Sequence, residues 1–249
     1  MSNWIPKYFG LEYLVKYKEK QSKEQTQREV DFLIKALDIQ KQDWVLDIPS
    51  GYGRHTNELL DRGIRTVGVD ISKLFIEEAK KYSPDRQGMF FVGDMRNIKL
   101  KDISLEPFDY IFNFFTSFGY YDDVVNELII HNISNMLKAG GKFLLDVGNR
   151  EWLIQHFIER QWDDYSDRIE AIDRSFDLKT SRMNTKIIYC YGDKRKIVNQ
   201  SIRFYTLTEI IGIFSRHGLK VIQTYGNIDF GDYTKDSKRM IVIGEKSNK

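Results

Sequence analysis

The chain has 249 residues, 41% of them hydrophobic, so it is long enough to bury the core of one elaborated α/β domain or of two small domains. Its 38 basic and 36 acidic side chains give a formal charge of +2, which argues against a dedicated nucleic-acid-binding surface. The single cysteine, Cys190, excludes an internal disulfide framework and indicates a reducing, cytoplasmic compartment. We expect no signal peptide and no membrane span, since no apolar run approaches the roughly 18 residues that cross a bilayer.

Aromatic residues dominate the first predicted element. Residues 3–19 predict one or two short helices. Such an arm either folds over a site as a lid or packs on the core as an amphipathic helix, and the sequence favours neither. Its aromatic side chains are Trp4, Tyr8, Phe9, Tyr13 and Tyr17.

Helical and strand-like patterns then alternate as far as Asn149. Apolar residues at 3.6-residue spacing predict helices over 20–38, 54–62, 73–82 and from Asp122 or Asp123 to Lys138. Short apolar runs predict strands over 43–48, 65–69, 89–92, 108–115 and 142–147, the last preceded by a turn at 140–141. This alternation is typical of a doubly wound parallel sheet with helices on both faces.

The pattern changes after Asn149. A short helical piece over 151–159 precedes three β-rich segments, which we interpret as a small inserted antiparallel sheet; they cover 168–176, 184–191 and 197–205. A helix over 206–217, capped by Thr206 or Thr208, and strands over 219–225 and 239–243 then complete a seven-stranded, mostly parallel sheet. The expected divisions are 1–150 for the arm and ligand-binding core, 151–205 for the insertion, a cap or a dimer surface, and 206–249 for the completion of the core.

The stretch Trp44–His55 joins an apolar strand, a glycine turn and the start of a helix. Gly51 and Gly53 let backbone N–H groups approach a ligand, because glycine has no Cβ. Asp47 ends the strand, where open α/β sheets place their ligand crevice. Asp70 ends the next strand, and a carboxylate at that spacing accepts hydrogen bonds from both ribose hydroxyls of a nucleoside-like cofactor. The Asp-x-Pro-x-Gly-x-Gly pattern differs from the Gly-x-Gly-x-x-Gly that is typical of NAD binding.

Four segments in order resemble successive motifs of the class I S-adenosylmethionine-dependent methyltransferases: 45–53, 67–72, 91–95 and 137–146. The segments 108–120 and 203–209, together with the aromatic arm, are similar to a bacterial small-molecule subgroup of that family. The resemblance implies a Rossmann-like fold, S-adenosylmethionine as the cofactor and S-adenosylhomocysteine as the product.

The resemblance also implies roles for residues near the glycine loop. Asp47 would orient the loop or receive the methionine amino group, and Gly51 and Gly53 would pack against the cofactor. Asp70 would bind both ribose hydroxyls. Pro49 stands where the family usually has glycine, and its fixed φ and missing N–H leave the contacts of the loop open.

Further along the chain, the resemblance implies contacts to the rest of the cofactor. Ile71 would lie against adenine, Asp94 would accept a hydrogen bond from the adenine amino group, and Met95 would cover the ring face. Asn113 or Phe114, at the end of the fourth strand, would lie near the methionine part and the transferable methyl group. We expect no metal.

The acceptor side offers five candidates. His55 is either a general base or a contact, at the helix N-terminus or on the cofactor side, and we favour the contact. Ser117 and Tyr120 follow the fourth strand, where they line an acceptor pocket or pack the loop. Arg203 and Tyr205 either close this pocket from above or lie on the surface.

We therefore expect a cytoplasmic methyltransferase that acts on N or O of a small-molecule acceptor by in-line displacement, as a monomer or homodimer. No nucleic-acid or membrane partner is expected. The alternatives are an RNA or protein methyltransferase, and a non-catalytic nucleotide-binding module on the same fold.

Overall fold

The computed structural model describes residues 4–82 and 84–247, so Asn3 of the predicted arm lies outside the described residues. The helices are α1 Ile5–Tyr8, α2 Leu11–Lys20, α3 Lys23–Leu37, α4 Arg54–Asp61, α5 Lys73–Tyr82, α6 Asp123–Met136, α7 Arg150–Gln155 and α8 Leu207–Arg216. The strands are β1 Trp44–Asp47, β2 Arg65–Asp70, β3 Phe90–Val92, β4 Phe108–Asn113, β5 Leu137–Gly148, β6 Arg160–Asp164, β7 Ile169–Asp177, β8 Arg182–Tyr191, β9 Lys194–Arg203, β10 Leu219–Tyr225 and β11 Arg239–Lys246.

Seven strands form the main sheet, in the order β10-β11-β5-β4-β1-β2-β3. Strands β1 to β5 pair in parallel, and β11 runs antiparallel to both of its neighbours. The order reverses between β1 and β4, and open α/β sheets form their ligand crevice beyond the strand ends at such a switch point. The predicted fold class is confirmed.

The two faces of the main sheet are covered by different helices. Successive strand residues point to opposite faces. On one face, Val45 and Phe112 pack against α3 through Val30 and Leu33. The other face packs against α6 and α8, whose apolar stripes join the larger core cluster. Both faces of β1 are therefore buried, which explains why its sequence is a continuous apolar run.

The inserted sheet has four antiparallel strands, in the order β6-β7-β8-β9, where three were predicted. The missed strand, β6, has the sequence Arg-Gln-Trp-Asp-Asp, too polar to stand out as a strand. The helix predicted over 151–159 is shorter in the structure, because α7 ends at Gln155. One face of this sheet is buried against the arm, with Ile187 and Val198 packed near Tyr8.

Several predicted boundaries move. The predicted helix over 20–38 begins at Lys23, because the side chain of Ser22 caps it by accepting a hydrogen bond from the backbone N–H of Gln25. Strand β5 begins at Leu137, so the predicted turn at 140–141 lies inside an irregular stretch of that strand. Asp122 caps α6 and Thr206 caps α8, which settles two open choices. Across the described ranges, no helix is long and apolar enough to cross a membrane.

Candidate active site

The carboxyl ends of β1, β2, β3 and β4 open into a cleft, whose empty space, including the part open to solvent, is about 870 Å³. The segments after each of these strands supply part of its wall, and the arm covers it. Seven of the predicted cofactor residues line the cleft: Pro49, Gly51, Asp70, Ile71, Asp94, Met95 and Phe114.

Asp70 fixes the glycine loop from the end of β2. Its Oδ2 accepts a hydrogen bond of 2.9 Å from the N–H of Gly51, and its Oδ1 accepts one of 2.8 Å from the N–H of Ser72. Burial raises the pKa of Asp70 to about 6, against the opposing effect of these two backbone hydrogen bonds. Because each carboxylate oxygen has a second lone pair, both remain able to accept a hydroxyl from a ligand.

The two glycines of the loop do different things. Gly51 has a φ of +57° and an open space where a Cβ would stand, and it lines the cleft. Gly53 has a φ of +77°, and a Cβ there would lie 2.6 Å from the Cβ of Ala79 and 2.9 Å from the ring of Phe90. Gly53 does not line the cleft. In the structure, Gly53 packs the loop closely against α5 and β3, and its contact with the cofactor stays a prediction.

Asp47 lies beneath the cleft and does not line it. Its buried Oδ2 accepts a hydrogen bond of 2.7 Å from the hydroxyl of Thr56 on α4. Burial raises the pKa of Asp47 to about 8, with the nearby Asp70 adding to the rise and the Thr56 hydrogen bond opposing it. Asp47 was predicted either to orient the glycine loop or to receive the methionine amino group. Its buried position and its hydrogen bond to Thr56 support the first role.

Asp94 lines the cleft but is already paired. The guanidinium of Arg96 donates to both carboxylate oxygens, with the Nε at 3.0 and 2.8 Å. Burial raises the pKa of Asp94, but the hydrogen bonds from Arg96 outweigh it, so the pKa lies below its usual value. The same guanidinium lies over the ring of Tyr121, 4.7 Å from its centroid, and so connects Asp94 to the loop after β4.

A buried polar cluster supports the start of α4. Glu29 of α3 accepts a hydrogen bond from Arg54 and one of 2.8 Å from the Nε2 of His55. Burial, aided by the charge of Arg54, lowers the pKa of His55 to about 4, so the ring is neutral near pH 7. His55 lines the cleft, but its Nε2 is occupied by Glu29, which supports a contact role.

The loop after β4 is held in an unusual conformation. Phe115 and Thr116 have φ values of +70° and +62°, which non-glycine residues rarely adopt. Asp146 holds the loop, because its Oδ2 accepts a 2.7 Å hydrogen bond from the N–H of Phe115 while Arg239 pairs with the same carboxylate. Asn113 is fully buried behind this loop and does not line the cleft, whereas its neighbour Phe114 does.

The structure separates the remaining acceptor candidates. Ser117 and Tyr120 line the cleft, and the hydroxyl of Tyr120 donates to the carbonyl of Thr116 at 3.2 Å. Arg203 and Tyr205 do not line it. Arg203, whose side chain is largely buried, pairs with Asp123 and Glu209 away from the cleft. Tyr205 is buried and donates a 2.7 Å hydrogen bond to Asp123. Of the two alternatives for Arg203 and Tyr205, the structure supports neither, because they do not line the cleft and are not exposed on the surface.

The arm lies over the cleft, which decides between its two predicted placements in favour of a cover. Ile5, Phe9 and Tyr13 line the cleft from this side. Tyr13 stacks on Tyr17 with 4.0 Å between ring centroids, and the ring of Tyr17 meets that of Phe115 edge-on. Aromatic contacts thus join the arm to the loop after β4.

Sequence reasoning missed several residues of the cleft. Arg54 and Tyr52 belong to the glycine loop and helix start, Phe75 to α5, and Gln21 to the end of the arm. Glu29, which lies behind the cleft, was also missed, although it falls in the apolar stripe of α3, where a carboxylate requires a buried partner. Arg54, a cation next to the second glycine, is that partner.

Comparison with known proteins identifies the class. Residues 45–141 match the family described as "Methyltransferase domain". The demethylmenaquinone methyltransferase of Paenarthrobacter aurescens (strain TC1) is 26% identical over 121 residues, which are 49% of this chain and 45% of that protein. The match thus spans less than half the length of this relative.

Two solved structures share nearly the whole fold. An S-adenosylmethionine-dependent methyltransferase from Clostridium acetobutylicum superposes with a TM-score of 0.74 at 20% identity, over 90% of this chain and 92% of that one. The sugar N-methyltransferase KedS8 from Streptoalloteichus superposes with a TM-score of 0.71 at 14% identity, over 96% and 94%. At these identities the likeness establishes the fold.

Residues 45–141 are therefore a methyltransferase domain, in the part of the chain that holds the predicted motifs. S-adenosylmethionine is the cofactor of that class. The cleft has features that suit this cofactor: the exposed backbone at Gly51, the carboxylate of Asp70, and the buried hydroxyl of Ser50, which has no hydrogen-bond partner within the described residues.

Proposed function

We propose that this protein transfers the methyl group of S-adenosylmethionine to the nitrogen of a small-molecule amine. In this assignment, Asp70 holds the ribose hydroxyls, Ile71 and Met95 lie on either side of the base, and Asp94 accepts its amino group. Phe114 and the loop after β4 lie near the methionine part. When bound at these residues, the cofactor would supply a methyl group that is activated by its sulfonium, and the amine nitrogen would take that group as the C–S bond breaks.

The observation that carries the proposal is the state of the titratable groups that line the cleft. His55 has a pKa of about 4 and its Nε2 is bonded to Glu29. Asp94 is paired with Arg96 and has a lowered pKa. The tyrosines Tyr13, Tyr52, Tyr120 and Tyr121 all have raised pKa values, with burial as the first cause. Among the described residues, none of these groups is placed as a free general base.

A neutral amine does not need such a base, because its lone pair attacks before the proton is lost. An aliphatic hydroxyl, in contrast, needs a base to become a useful nucleophile. Positioning of amine and methyl group in line, with water excluded by the arm, is then the main contribution of the protein. The aromatic lining also suits a cationic product, because aromatic ring faces attract ammonium groups. The similar fold of KedS8, a sugar N-methyltransferase, supports the assignment.

The test compares matched acceptors. S-adenosylhomocysteine formation is measured with a panel of amines and with alcohols of the same carbon skeleton. We expect turnover of amines only, with kcat/KM rising with pH until it levels off at the pKa of each acceptor amine. Turnover of the alcohols, or a pH profile that stays fixed when the acceptor pKa changes, would contradict the proposal.

A further inference from the structure

Two sides of helix α2 have different contacts. One side carries Tyr13 and covers the cleft. The other carries Glu12 and Lys16, which lie four residues apart and therefore share a face of the helix. Glu12 pairs with Lys196. The Nζ of Lys16 lies 2.7 Å from Oε2 of Glu170. Lys196 and Glu170 belong to one cross-strand row on the inner face of the inserted sheet, so this sheet holds the helix that covers the cleft.

Glu170 is the buried centre of this contact. Its side chain is only 2% exposed, and each of its carboxylate oxygens has its own cation. Oε2 binds Lys16 of the arm, and Oε1 accepts a hydrogen bond of 2.8 Å from the Nε of Arg168. A buried carboxylate without a cation is costly, because the protein interior replaces its hydration poorly. One cation is enough to avoid this cost, so the second requires another explanation.

The two cations differ in where they are attached. Lys16 belongs to α2 and leaves Glu170 whenever this helix lifts from the sheet. Arg168 is two residues from Glu170, and its backbone closes the turn between β6 and β7 through hydrogen bonds of 2.8 and 3.3 Å with Tyr165. Its guanidinium lies 4.5 Å from the centre of the Tyr165 ring and also pairs with the exposed Asp167. Arg168 is therefore held beside Glu170 by the sheet and not by the arm.

We propose that Glu170 is a releasable clasp for the arm, in which Lys16 closes α2 over the cleft and Arg168 keeps the carboxylate paired while the arm is open. Because Arg168 stays in place, opening leaves no unpaired carboxylate on the sheet. In the closed position two like charges share one carboxylate, and their repulsion weakens the hold of Lys16. None of the three residues lines the cleft, so they act on a ligand only through the arm.

Removing the two cations should have opposite effects. K16Q loses the closing contact, so we expect the amides of α2 to exchange with deuterium about fivefold faster. R168Q leaves Glu170 to Lys16 alone, so exchange should slow about threefold. Two ordinary structural salt bridges would instead give faster exchange in both variants. Mass spectrometry of the ligand-free full chain measures the exchange, with the amides of α3 as the internal reference.

A double variant tests whether Arg168 acts through the pairing of Glu170. In the K16Q background, loss of Arg168 means that docking of α2 buries an unpaired carboxylate. R168Q should therefore speed exchange in this background, although it slows exchange in the wild type. R168K keeps the charge and should behave as the wild type. R28Q removes an exposed arginine that pairs with Asp229 elsewhere, and should leave the exchange of α2 unchanged.

Release of S-adenosylhomocysteine connects the clasp to the cleft. Its dissociation rate, measured by stopped-flow fluorescence, should rise in K16Q and fall in R168Q. Added salt should speed release from the wild type more than from K16Q, because screening weakens the pair that K16Q lacks. Circular dichroism verifies the folding of each variant. Faster exchange in both single variants, the same effect of R168Q with and without Lys16, or an unchanged release rate in K16Q would overturn the proposal. The exchange results need no ligand and are independent of the acceptor proposed above.

Discussion

Three carboxylates lie at or just beyond the ends of successive strands, and their surroundings give each a different role. Asp47 is buried against Thr56, Asp70 accepts the backbone N–H groups of Gly51 and Ser72, and Asp94 is held by Arg96. Their pKa values diverge accordingly: raised for Asp47 and Asp70, lowered for Asp94. The three aspartates therefore differ in role: Asp47 supports the loop from below, whereas Asp70 and Asp94 face the cleft.

The two loop glycines give the first prediction. We expect G53A to lower the free energy of unfolding by several kcal/mol, because its Cβ meets Ala79 and Phe90 at a positive φ. G51A should cost only about 1 kcal/mol of strain, since space is open there, but its methyl group occupies the cleft. Chemical denaturation and calorimetric titration with S-adenosylhomocysteine measure both variants. Equal effects of the two changes on stability would contradict this division.

Asp70 gives a pH prediction. A ribose hydroxyl donates to the ionised carboxylate, so binding favours the charged form, and the pKa of about 6 sets the window. Affinity for S-adenosylhomocysteine should be constant above about pH 7 and fall as the pH decreases from 6 to 5. D70N should bind at least tenfold more weakly at pH 7.5, with a flatter profile between pH 5 and 7. A wild-type affinity that does not change between pH 5 and 7 would exclude Asp70 from the ribose site.

At the scale of elements, the arm and the loop after β4 act together. Helix α2 contributes Tyr13 to the cleft on one side and exposes Val15 on the other. Ion pairs fasten the helix to its neighbours, including Lys16 with Glu170 of the inserted sheet at 2.7 Å and Lys18 with Glu78 of α5 at 2.7 Å. The arm is therefore bound to both the core and the insertion, as a cover for the cleft requires.

Because α2 covers the cleft with one side only, substitutions at Tyr13 and Val15 should have different effects on the rate of ligand dissociation. Y13A removes a ring that contacts Phe9, Tyr17 and Phe75 above the cleft. We expect dissociation of S-adenosylhomocysteine to accelerate about tenfold, because a loosened cover exposes the ligand to water. V15A, on the exposed side, should leave the rate unchanged within twofold. Stopped-flow fluorescence measures both rates, and equal rates for the two variants would show that α2 is not a lid.

At the scale of the whole molecule, the sheet topology forms the site and also makes the stability of the fold depend on pH. The strand order brings the ends of β1 and β2 together, and the two buried carboxylates Asp47 and Asp70 with them. A raised folded-state pKa means that the native protein keeps a proton that the unfolded chain releases. Stability from Asp47 is therefore present below about pH 4 and is lost as the pH rises toward 8.

Asp47→Asn tests this linkage. Asparagine keeps an acceptor for the hydroxyl of Thr56 but has no proton to release. We expect the melting temperature of the variant, relative to wild type, to increase between pH 5 and pH 8. Scanning calorimetry at several pH values measures the difference. Asp232→Asn is the control for a carboxylate-to-amide change on the surface. A difference for D47N that is independent of pH would contradict the assignment.

The sequence predicts a site residue well when its position follows from the pattern of neighbouring residues, and poorly when its position depends on how distant segments pack. Gly51, Asp70 and Met95 lie where their strands end, and strand ends are readable from apolar runs. Arg203 and Tyr205 follow a strand too, but that strand belongs to the inserted sheet, whose placement no local pattern gives. Strand β6 escaped prediction because its polar residues carry no periodic apolar signal.

By itself, the sequence determined the alternation of strands and helices, the glycine loop and the carboxylates at the strand ends, because apolar periodicity and backbone chemistry act over a few neighbouring residues. Only the tertiary structure decided that the arm covers the cleft, that Gly53 packs inside the fold, and that Glu29 binds Arg54 and His55. These contacts join residues far apart in the chain. Their energies come from burial and charge pairing, which exist only once the elements have packed together.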